Sequence, residues 1–149
     1  MTWIPLYVIV FAFLLYKYKW RGLWIAVFAI GSIGLADGIS SHIFKPLFAR
    51  IRPCNLPELA DNINIVLSYC SGGFSFTSSH AANHFALASF FGFFFYKNIK
   101  WLWMTTFFWA SLICFAQVYV GVHFPTDVLV GGLLGILIGF VCNILGKKQ

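Results

Sequence analysis

The segment HFPTDVLVGGLLGILIGFVCNIL, His123 to Leu145, places a histidine and an aspartate four positions apart directly ahead of an uncharged apolar run. That run, Val128 to Leu145, approaches the about 20 residues a helix needs to cross the hydrocarbon core of a bilayer. Gly131, Gly135 and Gly139 recur at every fourth position, on one helix face, where a missing side chain lets a neighbouring helix approach closely. The segment predicts a packed transmembrane helix whose polar start stands at a membrane surface.

Four more stretches read the same way: Trp3 to Tyr16, which is short, Leu23 to Phe44, Ala81 to Tyr96 and Trp101 to Tyr119. The chain is 60% hydrophobic and 20% aromatic with a mean hydropathy of +0.85, an implausible composition for a soluble domain. The expected architecture is an all-α, polytopic transmembrane helix bundle of about five spans, forming one domain over residues 1–149. Thr2 to Tyr16 lacks a basic leader and a small-residue cleavage site, so it is expected to span and not to be a signal peptide. Gly34 and Gly38 are expected to pack closely as the later glycines do. Trp3, Trp20, Trp101 and Trp103 lie near span ends, where interfacial anchoring is expected. Cys114 and Cys142, inside apolar runs, should be buried free thiols.

Ten Lys and Arg against four Asp and Glu give a net charge of +6. The cations are dispersed in pairs and triplets between apolar runs and do not line one face, so no nucleic-acid partner is expected. They orient the chain instead. With Lys17, Lys19, Arg21, Lys97, Lys100, Lys147 and Lys148 on the cytoplasmic side, only Lys45, Arg50 and Arg52 remain outside, as the positive-inside rule prefers. Three polar clusters then share the external face although whole helices separate them: Lys45 to Arg52-Pro53, Ser75 to His80, and His123 to Asp127.

Charge is costly in such a chain, and its placement points to function. Lys45, Arg50 and Arg52 gather positive charge where few cations are expected, which suits a bound phosphate better than snorkelling to headgroups. Thr77-Ser78-Ser79-His80 precedes an apolar helix and offers an N-cap, free backbone N–H groups and, in His80, a proton donor. Capping alone would also explain the hydroxyl residues. His80 and His84 are spaced like zinc ligands, but no third ligand has persuasive spacing, so neither metal nor cofactor is expected. Asp127 can orient His123 so that Nε2 is free to attack. Cys54 and Cys70 bracket the long polar segment and are expected to form a disulfide if that segment faces an oxidising compartment; two unrelated thiols are the other reading.

Together these clusters resemble the three motifs of the type 2 phosphatidic acid phosphatase (PAP2) superfamily, KxxxxxxRP, PSGH and SRxxxxxHxxxD. Lys45 through Arg52-Pro53 matches the first, Thr77-Ser78-Ser79-His80 the second with Thr for Pro and Ser for Gly, and Ala116-Gln117 through His123 and Asp127 the third at its histidine and aspartate. The resemblance runs from about residue 34 to 140. It implies phosphoryl transfer from a lipid phosphate to His123, with His80 as general acid, Asp127 holding His123, and Lys45, Arg52, Ser78, Ser79 and Gln117 binding the phosphate. Gln117 stands where the family has an arginine, which implies retuned activity. Family members usually have six spans, so the chain resembles an N-terminally shortened member.

The expected substrate is a lipid phosphate or pyrophosphate at the external leaflet of the inner membrane. Undecaprenyl pyrophosphate comes first, then phosphatidylglycerol phosphate, phosphatidic acid or lipid A phosphate. A non-catalytic lipid-phosphate binder of the same fold is the alternative. A vanadate-dependent haloperoxidase shares the motif geometry but is soluble. Oligomeric state is not encoded in any feature of the chain.

Overall fold

A helix that buries glycine and exposes leucine has the inverse of soluble amphipathicity, and the last helix does this along its length. The computed structural model describes residues 4–60, 70 and 72–147. Seven α-helices occur among them: α1 (Ile4–Tyr18), α2 (Trp20–Ile39), α3 (Lys45–Phe48), α4 (Pro57–Ala60), α5 (Ser79–Phe94), α6 (Leu102–Tyr119) and α7 (Pro125–Gly146). On α7, Gly131, Gly135 and Gly139 are buried while Leu129, Leu133 and Leu137 are exposed. Lipid tails are as apolar as leucine, so the large side chains face lipid and the small ones let backbones meet.

Helix α5 is central, packing against α2, α6 and chiefly α7. A Cβ added to Gly131 would stand 2.6 Å from the Ser78 carbonyl oxygen, and one at Gly135 or Gly139 would collide with the carbonyls of Ala82 or Ala86. The spacing expected to permit close packing does so here. Gly22 plays the same part between α2 and α1, against the Leu14 carbonyl. Gly34 and Gly38 correct the expectation: added Cβ atoms there would meet nothing within 4 Å, because no other described element approaches that face. Polar contacts fix the α5–α7 register, since Ser89 Oγ donates to the Ile136 carbonyl (2.9 Å) and buried Asn143 Nδ2 to the Phe90 carbonyl (3.0 Å).

Among the described residues three helices are long and apolar enough to cross a membrane: the continuous helix Trp20–Phe48, Leu102–Tyr119 and Pro125–Gly146. Between Ser40 and Phe44 the first of these passes through a π-helical turn. Shorter α1 and α5 complete the bundle. At one end the Tyr18 and Phe95 rings lie 5.7 Å apart and Lys147 Nζ donates to the Phe93 carbonyl, so the basic turns after α1 and α5 and the end of α7 converge there. Trp20 and Trp101 stand exposed at helix starts on that side. Trp3 and Lys148 lie outside the described residues. Cys114 and Cys142 are buried free thiols.

Near the opposite end, Cys54 and Cys70 are joined in a disulfide with Cα atoms 5.8 Å apart, inside the usual range. The Cys54 N–H also donates to the Gly121 carbonyl (3.0 Å), which fastens this loop to the turn after α6. Mass spectrometry without reductant, with free thiols blocked before digestion, should recover the linked peptide pair and no alkylated Cys54 or Cys70. Packing gives a second expectation. Gly135→Ala forces α7 off the α5 backbone and should cost about 1–3 kcal/mol, seen as a lower Tm in detergent, whereas Gly34→Ala should leave Tm unchanged or higher.

Candidate active site

The site begins with the way α6 ends. Gly121 takes a left-handed conformation (φ 71°) that a side chain would disfavour. The chain then reverses so that the Gly121 N–H meets the Val118 carbonyl and the Val122 N–H meets the Gln117 carbonyl, a Schellman closure. The His123 N–H donates to that same Gln117 oxygen (3.2 Å). One glycine turn thus brings Gln117 and His123 to a common wall. Pro125 then opens α7 and Asp127 Oδ2 accepts the Phe124 N–H (2.9 Å), capping the helix from its third position.

Asp127 is fully buried, and its oxygens are well supplied with donors. Oδ1 accepts from Arg50 Nη1 (2.9 Å), and Oδ2 accepts from Ser75 Oγ besides the Phe124 N–H. His123 Nδ1 lies 3.6 Å from Oδ2 and 3.4 Å from Ser75 Oγ, so the serine hydroxyl mediates between imidazole and carboxylate. On the other edge of the ring, Arg52 Nη1 donates to His123 Nε2 (3.2 Å). A guanidinium has no acceptor, so Nε2 carries the lone pair and Nδ1 the proton. Arg52 is itself buried, and its Nε finds no acceptor among the described residues. Burial pulls its guanidinium below the ordinary value, and Asp127 opposes that.

These groups face a cavity of about 330 Å³ lined by Asp37, Ser41, Lys45, Arg52, Ser79, His80, Gln117, Val120, Val122 and His123. Five of these, Lys45, Arg52, Ser79, His80 and His123, come from the three polar clusters. Ser79 Oγ pairs with the hydroxyls of Ser40 and Ser41 (3.1 Å each), tying the start of α5 to the π-turn. His80 opens onto the cavity mouth. Partial desolvation pulls its imidazole below the ordinary value, and the charges of His84, His123, Lys45 and Arg52 add to the shift. His84 spends Nδ1 on the His80 carbonyl (2.9 Å).

Two expectations change. Ser78 does not line the cavity: it is buried, its N–H donates to the Asp127 carbonyl and its Oγ caps the Ala81 N–H. Its backbone therefore has no donor left for an anion. Arg50, expected with Lys45 and Arg52 to meet a bound phosphate, points away to Thr126 and Asp127 and stacks on the Phe124 ring at 3.8 Å. Ser75 and Arg50 were not singled out as orienting groups by the sequence, although both sit inside the polar clusters.

The helical membrane bundle thus turns a buried, carboxylate-backed histidine toward a cationic cavity. The PAP2 superfamily model matches residues 22–149, and the chain belongs to that family. It is 34% identical over 93% of its length to a lipid A 4'-phosphatase of Porphyromonas gingivalis and 35% identical over 98% to one of Bacteroides thetaiotaomicron. The chain spans 58% and 65% of those two proteins. A crystal structure of a transmembrane PAP2-type phosphatidylglycerolphosphate phosphatase from Bacillus subtilis superposes with a TM-score of 0.74 at 27% identity, covering 97% of this chain and 69% of that one.

Gln117 lies on the cavity wall and no other arginine takes its place, so Gln117→Arg should strengthen vanadate inhibition by a factor of about five or more, the effect of about 1 kcal/mol from a charge-assisted contact. Unchanged inhibition would mean that position 117 does not meet the anion.

Proposed function

We propose that the protein hydrolyses the phosphate ester or anhydride of a membrane lipid through a phosphohistidine on His123. The observation that carries this reading is the fixed tautomer: Nε2 presents its lone pair beside the Arg52 guanidinium while Nδ1–H faces Ser75 and Asp127. Nε2 attacks phosphorus, the bond to the leaving oxygen breaks, and protonated His80 gives that oxygen its proton. Water then attacks the phosphohistidine, neutral His80 accepts the water proton, and inorganic phosphate leaves with His123 restored. Lys45 and Arg52 neutralise the equatorial oxygens, the charge-balancing task that a metal ion performs in other phosphoryl transfers. Ser79 and Gln117 supply neutral hydrogen bonds.

The two relatives that match 93% and 98% of this chain at 34% and 35% identity are lipid A 4'-phosphatases, and a phosphatidylglycerophosphatase B of Bacillus subtilis matches 97% at 29%, which favours a phosphorylated sugar lipid ahead of phosphatidylglycerol phosphate and undecaprenyl pyrophosphate. The basic end of the bundle faces the cytoplasm, and the cavity opens at the periplasmic face of the inner membrane. Gln117 in the cavity wall favours a second reading, a lipid-phosphate binder without turnover. Phosphate release from a panel of these lipids by detergent-purified protein in the presence of a chelator separates the two.

His123→Ala should abolish release without unfolding the protein, and turnover above a few per cent of wild type would remove the nucleophile assignment. His80→Ala should cost about 10²–10⁴-fold on an alkyl lipid phosphate and far less on an activated aryl phosphate, whose leaving group needs no proton. The pH dependence follows from the charges around His80. Partial burial and then neighbouring cations lower its pKa in the free protein, and a bound phosphate anion opposes the contribution of the cations. Activity requires the protonated form, so kcat/KM should fall at a lower pH than kcat on the alkaline side, and His80→Asn should flatten both limbs.

A further inference from the structure

A carboxylate has no evident business in a cavity built for phosphate, yet Asp37 lines this one. It stands on the same wall as Ser41 and Lys45, at four-residue intervals along one continuous helix. An α-helix advances about 100° per residue, so each step of four overshoots a turn by about 40°. Two such steps would swing Lys45 well round from Asp37. The π-turn Ser40–Phe44 lies between them and takes more residues per turn, which counters the drift and keeps all three on the cavity face. The distortion therefore brings Asp37 to the site together with the phosphate-binding lysine.

Its chemistry is acceptor only. Asn83 Nδ2 on α5 donates to Asp37 Oδ1 (3.4 Å), and Oδ2 has no hydrogen-bond partner among the described residues. Asp37 is close enough to Lys45 for their charges to interact, while Arg52 and His123 form the wall where an anion would rest. Asp37 would repel phosphate, so what it can accept is a donor on the alcohol portion of the substrate. Resting on the phosphatase reading above, we infer that Asp37 is a specificity residue: its free oxygen accepts a hydrogen bond from a hydroxyl of the substrate headgroup beside the scissile phosphate. The site then selects hydroxyl-bearing headgroups, sugar or glycerol, over lipids whose phosphate has no hydroxyl neighbour.

Asp37→Asn tests this directly. Asn83 holds the amide oxygen of the new side chain, which turns an NH₂ donor into the cavity where an acceptor stood. The quantity to read is the ratio of kcat/KM for phosphatidylglycerol phosphate, with its free glycerol hydroxyl, to that for phosphatidic acid of the same acyl chains. A lipid A-type glucosamine phosphate serves as a second numerator. Losing a hydrogen bond to a charged acceptor should lower the ratio about tenfold or more. A fall with both numerators assigns recognition to any neighbouring hydroxyl, and a fall with one assigns it to glycerol or to sugar. Being a ratio within one preparation, it does not depend on how much variant folds. Equal losses on all lipids, or none, would overturn the inference and leave Asp37 as a charge partner of Lys45. If wild type releases phosphate from none of these lipids, the phosphatase reading fails instead. The same ratio measured by equilibrium binding to His123→Ala, with and without Asp37→Asn, then decides Asp37 alone.

Discussion

Everything at the site hangs on one buried carboxylate. Asp127 receives Arg50 from the first polar cluster, Ser75 from the second and the Phe124 N–H from the third, and its backbone carbonyl takes the Ser78 N–H. Three stretches far apart in sequence are thereby fixed to one side chain. An isolated charge at zero exposure would be prohibitively costly, and the donors make it tolerable. Removing any one of them would leave a partly unpaired buried anion. The same donors leave its Oδ2 edge facing His123, so the structural anchor and the orienter of the imidazole are a single group.

The bundle serves this anchor through its small residues. Gly131 lies against the Ser78 carbonyl, one turn below the point where Ser78 meets Asp127, so the closeness of α5 and α7 is what lets the cap of one helix reach the first turn of the other. The hydroxyls of Ser40, Thr77 and Ser79 make the matching connection to the π-turn. Position, more than flexibility, is what the surrounding packing provides.

Much of this was legible in the sequence because membranes enforce simple rules. Apolar runs of sufficient length, cations sorted to one side and charges gathered into three clusters led to a helical bundle with a polar cavity at one end. What escaped depended on backbone detail. Gly34 and Gly38 have the same spacing as Gly135 and Gly139, yet spacing shows only that a face is small, not that a partner covers it. Arg50 and Arg52 are chemically alike and two residues apart, but the chain between them lies outside any helix, and it sends one to Thr126 and Asp127 and the other to His123. Ser78 looked like an anion-binding N-terminus because its motif is one, while its N–H was already committed to Asp127. A π-turn leaves no mark in composition or hydropathy, so Asp37 attracted no notice until the helix register was known.

The shortness of α5 sets the depth of the cavity in the membrane. Its 16 residues rise about 24 Å, less than the about 30 Å of a typical hydrocarbon core. One end is drawn to the basic side, where Lys147 and Asn143 of α7 satisfy the Phe93 and Phe90 carbonyls. The other end, carrying Ser79 and His80, must then lie beneath the plane of the lipid headgroups unless the bilayer thins around it. Under the proposed function, a lipid entering from the side would reach such a recessed cavity by lowering its phosphate a few ångströms and would never have to lift its tails out of the leaflet. Membrane thickness becomes, through the length of one helix, a property of the cavity.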